Sequence, residues 1–213
     1  MTLILSAICK DGVCVCADKR NTESDGTSKD NLNKLYLFSN LPLIIYNHGV
    51  NKFNNKMWNE YCTEYERSNR WNNLNFHKIC EDFGKFIKKD IEKQLKQNFN
   101  KGLVGSYLNS GFVFCGKSDY NTIFKIYELF WSHESQVERH THGNLVRSGT
   151  GDKYLERFFK DNPINTNEYW EKLDIVQTKK ELQEIFLNAV VEKNKLGGDE
   201  FSDNFDIECI SDN

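Results

Sequence analysis

The chain of 213 residues is long enough for one domain with a sizeable core. Its net charge is −3, with acidic and basic side chains interleaved, so no broad basic field exists to hold a phosphate backbone and no nucleic-acid partner is expected. No apolar run is long enough to span a bilayer, and the apolar N-terminal stretch is short and has no basic region before it, so neither a membrane partner nor export is expected and a cytoplasmic location is predicted.

From the N-terminus, Leu3, Leu5 and Ala7 alternate with Ile4, Ser6 and Ile8. Lys10-Asp11-Gly12 then supplies turn chemistry before Val13, so residues 2–18 read as a β-hairpin. Both faces of this hairpin carry apolar side chains, the pattern of strands buried on two sides. Residues 24–31 are polar and read as a loop. A second strand pair is expected over residues 34–39 and 43–46, around Asn40-Leu41-Pro42.

The period changes to helical between residues 51 and 100, where Phe53, Trp58, Tyr61, Cys62 and Tyr65 recur at three and four, as do Phe76, Ile79, Cys80, Phe83, Phe86, Ile87, Ile91 and Leu95. Two amphipathic helices joined near residues 69–75 follow from this. Strands are expected again over 111–115, 123–131, 136–139 and 144–148, separated by polar loops at 117–121 and 132–135. A helix is expected from Asp152, another over 179–195, and a last strand over 204–210. This order suits an α+β fold in which two stacked antiparallel sheets carry helices on their outer sides, a four-layer αββα sandwich forming a single domain over residues 1–213.

Seven cysteines is an odd number, scattered without paired CxxC spacing, and reads as reduced thiols rather than a disulfide framework or a zinc site. His140-Thr141-His142, with His133 nearby, is the one metal-like cluster; exposed loop histidines account for it without a metal. Residues 102–105 lack the Gly-Lys-Ser/Thr that a phosphate loop requires.

The chemistry concentrates at Thr2. If Met1 is removed, Thr2 carries a free α-amine beside its own hydroxyl, and an amine titrating near roughly 8 serves as a base for that nucleophile. Asp18 and Lys34 each fall near the end of a strand expected beside the first one, although an Asp–Lys pair flanking a loop is also the ordinary form of a surface ion pair.

Thr2, Gly12-Val13, Ala17-Asp18-Lys19-Arg20-Asn21-Thr22, Asn33-Lys34-Leu35-Tyr36 and Leu43-Ile44-Ile45-Tyr46-Asn47-His48-Gly49 together resemble the catalytic half of proteasome β-subunits and the bacterial HslV peptidase, members of the N-terminal nucleophile hydrolases. Arg147-Ser148-Gly149-Thr150-Gly151 resembles the family's glycine-serine-glycine step before a helix. Gly197-Gly198 with Phe205-Asp206-Ile207 resembles its closing strand.

The resemblance implies an N-terminal-threonine peptidase that cleaves peptide bonds through an acyl-enzyme ester, without a cofactor, inside a homo-oligomeric ring that an ATP-dependent unfoldase serves. It implies that Thr2 is the nucleophile, that the Lys34 ammonium eases ionisation of its hydroxyl, that Asp18 holds Lys34, and that Ser148 bonds the terminal amine. Helix capping or turn chemistry explains Ser148 as well. Backbone N–H groups at His48 and Gly49 would form the oxyanion hole, with His48 standing where a glycine is expected. Tyr46 would line the primary pocket and shorten it, favouring small side chains before the scissile bond.

Lys193-Asn194-Lys195-Leu196 stands where the family often places a supporting aspartate and serine. A catalytically silent structural subunit of such an assembly, or a hydrolase of the same fold acting on a non-peptide amide, are the alternative readings. Lys34→Ala is expected to abolish turnover with little change in stability.

Overall fold

The structure, a computed structural model, describes residues 2–22, 27–117, 123–134 and 137–212. Met1, residues 24–26, 118–121 and 135 of the expected loops, and Gln136 of an expected strand lie outside the described residues. In chain order the principal strands are β1 (Ile4–Cys9), β2 (Gly12–Asp18), β3 (Leu35–Leu37), β4 (Leu43–Gly49), β5 (Asn109–Gly116), β6 (Lys125–Ser132), β7 (Glu138–Thr141), β8 (Leu145–Ser148) and β9 (Phe205–Ser211). The helices are α1 (Trp58–Arg67), α2 (Phe76–Asn100), α3 (Glu156–Asp161), α4 (Asn167–Trp170) and α5 (Ile175–Lys195). Two compact units result: one from the chain up to Leu35 and from His142 onward, the other from Tyr36–Thr141.

The first unit holds a four-stranded sheet in the order β8-β1-β2-β9, antiparallel throughout. Leu3, Leu5 and Ala7, with Cys14 and Cys16, point to one face and pack against Leu182, Ile185, Phe186 and Ala189 of α5, together with Trp170 and Phe201. Burying side chains of this size stabilises by about 1.5–3 kcal/mol each. The opposite faces of β1 and β2, carrying Ile4, Val13 and Val15, are buried too. Helix α5 starts four residues before the expected 179 because Asp174 and Gln177 form a reciprocal capping box, each side chain accepting from the other's backbone N–H at 2.8 and 3.0 Å.

Across β2 and β9, Cys14 lies opposite Cys209, and the two form a disulfide. This corrects the expectation of reduced thiols throughout: a cross-strand pair 195 residues apart leaves no trace in local cysteine spacing. Cys9, Cys16, Cys62, Cys80 and Cys115 are free and buried.

The second unit holds a sheet in the order β7-β6-β5-β4-β3. Leu43, Ile45, Phe112, Phe114, Leu129 and Trp131 pack against the aromatic faces of α1 and α2, including Trp58, Tyr61, Tyr65 and Phe83. The helical period had taken in Phe53. Instead Lys52–Phe53 pairs with Lys56–Met57 around Asn54 and Asn55, whose φ values of 49° and 64° are the left-handed pair of a tight hairpin turn, a conformation asparagine tolerates well.

The expected four-layer αββα sandwich is corrected to what the structure establishes: an α+β chain with two main antiparallel sheets and a few helices, in two units. Burial on both strand faces reveals that something covers them, and nothing in a strand's own sequence says whether that cover is a sheet or a helix.

Candidate functional site

The first unit brings three of the expected residues together. Thr2 Oγ1 donates to Asp18 Oδ1 at 2.6 Å and accepts from Lys34 Nζ at 2.6 Å, while Lys34 Nζ also donates to Asp18 Oδ1 at 2.7 Å. Thr2 is 8% exposed, Lys34 7% and Asp18 0%, so the triangle is almost fully withdrawn from water. This is a buried ion pair closed around a hydroxyl, in contrast to the surface pair that the sequence also allowed.

Local pairing explains why the three meet. Thr2 leads into β1 and Asp18 ends β2; the Asp18 N–H donates to Leu3 O at 3.1 Å, and its carboxylate accepts the Leu3 N–H at 2.8 Å. Lys34 is delivered just ahead of β3 by a turn in which the Leu35 N–H donates to Asn33 Oδ1 at 2.8 Å, and a Leu32 N–H to Lys19 O bond of 3.0 Å ties that turn to β2.

Ser148 ends β8 opposite Ile4. The turn after it clasps Thr2 from the backbone side: the Gly151 N–H donates to Thr2 O at 3.0 Å. Gly149 has φ +97°, and a Cβ there would stand 2.3 Å from Thr2 O, so this position demands glycine by both conformation and space.

Burial pushes the Lys34 ammonium below its usual range, with Asp18 opposing the shift. The Asp18 carboxylate is heavily engaged, since Oδ2 also accepts from the backbone N–H groups of Arg20 at 2.9 Å and Ser202 at 3.3 Å. Outside it, the Arg20 guanidinium makes a two-pronged contact with Asp30 at 2.7 and 2.8 Å and donates to the backbone oxygen of Asp199 at 2.8 Å. Arg20 holds the Asp30 carboxyl below the usual carboxylate range.

Sequence reasoning sought this supporting layer at residues 193–196, whereas the structure places it at Arg20, Asp30, Asp199 and Ser202. The available signal was Asp199-Glu200-Phe201-Ser202 directly after the glycine pair. A polar cavity of about 450 Å³ opens beside these residues, lined by Lys19, Asp30, Asn31, Asp203, Asn204 and Phe205.

Tyr46, His48 and Gly49 belong to β4 of the second unit. Tyr46 is fully buried opposite Val113. His48 finds its room across the sheet, where it faces Gly111; a Cβ at that glycine would lie 2.1 Å from His48 Nε2. The ring pairs with Glu128 Oε1 at 2.7 Å and stacks on Phe130. His140 lies on β7, 3.4 Å from Glu138, and His133 stacks on Phe99. Among the described residues no group of three His, Cys, Asp or Glu is placed to hold a metal ion, and no helix is long and apolar enough to cross a membrane.

No protein-family model matches the chain, and no curated protein matches it. Among solved structures it is similar to Anbu (ancestral beta-subunit) from Yersinia bercovieri, with 11% identity and a TM-score of 0.66 over 98% of this chain and 81% of that one. It is also similar to an Anbu (Gly-1) mutant from Hyphomicrobium sp. strain MC1, with 12% identity and a TM-score of 0.62 over 100% of this chain and 88% of that one. At such identities the likeness is one of fold alone.

The family suggested by the short motifs is corrected accordingly, since these neighbours are Anbu proteins rather than proteasome β-subunits or HslV. Gly12, Asp18, Lys34 and Gly49 mark turns and strand ends, and residues of that kind follow the hairpin and sheet without distinguishing the families that share them.

Proposed function

We propose that the chain, once Thr2 is its first residue, is an N-terminal-threonine amidohydrolase that cleaves peptide bonds through an acyl-enzyme ester. The observation that carries this reading is the Thr2 hydroxyl held at 2.6 Å from both Lys34 Nζ and Asp18 Oδ1 in a nearly dry site. The Lys34 ammonium donates to Oγ1, so its charge lowers the cost of ionising the hydroxyl, and the free α-amine of Thr2 takes the proton as Oγ1 adds to the substrate carbonyl carbon. Asp18 holds that ammonium in place. The α-amine of Thr2 passes that proton to the departing amine, and afterwards activates the water that splits the ester.

Ser148 as partner of the α-amine, the backbone N–H groups of His48 and Gly49 as oxyanion donors, and Tyr46 as a wall of the primary pocket belong to the same proposal. So do a single working domain over residues 1–213, assembly into a homo-oligomeric ring, and an ATP-dependent unfoldase as partner. The name "ancestral beta-subunit" of the structural neighbour supports a subunit role.

The test compares a chain released from a cleavable fusion with Thr2 first against the same chain carrying one extra residue. An added residue converts the Thr2 nitrogen into a planar amide whose lone pair is delocalised, so it accepts no proton at neutral pH. The Thr2-first form should hydrolyse a peptide amide and be modified on Thr2 by an electrophilic peptide, read by intact mass. Equal rates for the two forms would overturn the N-terminal-nucleophile mechanism, and inertness of both would leave a structural subunit.

A further inference from the structure

Lys193 is a buried lysine, 3% exposed, that this chemistry does not use. It lies in the last turn of α5, and its ammonium donates to Phe201 O at 2.7 Å, pairs with the Asp203 carboxylate and sits 4.6 Å from the centre of the Phe201 ring. These contacts hold both ends of Phe201-Ser202-Asp203. The middle residue of that segment presents its backbone N–H to Asp18 Oδ2 at 3.3 Å. A bond from the Asn204 N–H to Ser202 Oγ at 3.1 Å, and one from the Lys19 N–H to Asn204 O at 3.1 Å, fix the rest of the bend.

We propose that Lys193 is a positioning residue for Asp18: by pinning residues 201–203 it aims the Ser202 N–H at the carboxylate that Thr2 and Lys34 share. The residue that looked like a departure from a supporting site is then part of one. A lysine suits the position because its stem crosses the apolar surface of Phe201 while its three donors satisfy a carbonyl and a carboxylate together.

The other charged groups around Asp18 are already engaged. Lys34 holds Oδ1, and the Arg20 side chain turns away to Asp30 and Asp199. Lys19 pairs with Asp206 at 2.7 Å, and the Cys16 thiol, pushed up by burial and by Asp18 and Asp206, stays neutral. The Ser202 donor is therefore the contact that a change at Lys193 alters.

The catalytic consequence rests on the proposed amidohydrolase function, so the experiment has an arm independent of turnover. Lys193→Met and Lys193→Arg are made in the chain with Thr2 first, and the Asp18 carboxyl carbon is titrated by 13C NMR. Loss of an aimed N–H should move the Asp18 titration upward by about one pH unit in Lys193→Met, with partial return in Lys193→Arg. Turnover of a peptide amide should fall about tenfold in kcat at nearly constant KM, and the acid limb of kcat/KM should move up with Asp18.

An Asp18 titration in Lys193→Met identical to wild type overturns the proposal, whatever the activity. If Lys193→Met does not fold, Asp203→Ala removes the more exposed partner of the same anchor and must shift Asp18 in the same direction, or the proposal fails. A Thr2-first wild type that neither turns over nor labels refutes the function and leaves the NMR comparison decisive for Lys193.

Discussion

Replacing Lys34 by methionine, which keeps the length of the stem and removes the amine, separates the two consequences of burying this residue. On the stability side, Lys34 Nζ lies 2.7 Å from a carboxylate that is 0% exposed, and taking one partner from a buried pair costs about 3–5 kcal/mol. Asp18 retains four other donors, from Thr2 Oγ1 and the N–H groups of Leu3, Arg20 and Ser202, so the lower end of that range, about 3 kcal/mol, is expected. Sequence alone had suggested little change in stability, because it could not show that the pair is dry. On the rate side, the ammonium at 2.6 Å from the nucleophile stabilises the charge that develops on Oγ1, and losing one such positioned donor lowers turnover by about 10²–10³-fold. Urea unfolding gives the first quantity; peptide-amide turnover and Thr2 labelling, at matched folded fraction, give the second. Activity within threefold of wild type would remove Lys34 from the mechanism, and a stability loss below about 1 kcal/mol would show that the pair is solvated as an exposed one is.

Gly149→Ala should destabilise by about 2 kcal/mol or more and slow Thr2 labelling, because the new Cβ meets Thr2 O at 2.3 Å from a backbone at φ +97°; an unchanged urea midpoint would contradict this. Glu200 accepts from Lys153 and Tyr154, which hold its carboxyl at about 2 against the usual 4.5. A carboxylate lowered on folding stabilises above pH 4.5 and loses that contribution as pH falls toward 2, so Glu200→Gln should show a shallower fall of Tm across that window than wild type, and equal slopes would count against the pairing. Of the seven cysteines, five should react with a thiol reagent in denaturant before reduction and all seven after it; seven before reduction would exclude the Cys14–Cys209 bond.

The parts of the fold that were legible in the sequence are those fixed by short-range patterns. Alternation over β1 and β2 around Lys10-Asp11-Gly12 gave the hairpin, and the spacing of Phe76, Ile79, Cys80, Phe83 and Ile87 gave α2. Errors gathered where a local rule was overruled by another local rule, as at Asn54-Asn55, whose turn interrupts a helical period, and at Asp174, whose capping box lengthens α5. The nearness of Thr2 and Asp18 follows from the pairing of β1 with β2, whereas Lys34 precedes a strand of the other sheet, so its arrival rests on the turn that Leu32 ties to Lys19 rather than on the strand neighbourhood expected for it.

The surroundings of that triangle were harder to read because their partners are distant in sequence: Ser202 reaches Asp18 across 184 residues, and Cys209 reaches Cys14 across 195. Residue type is a poor guide at such range, since the support for Asp18 comes largely from backbone N–H groups, which every residue but proline offers. Lys193 and His48 show what this does to an inference from departures. Each replaces a residue type that was expected, yet Lys193 braces a bend that presents an N–H, and the His48 ring fits because Gly111 leaves it space. A substitution in a supporting shell therefore bears on function only through the backbone atom it holds in place, and titration of Asp18 with Lys193 changed reads that atom directly.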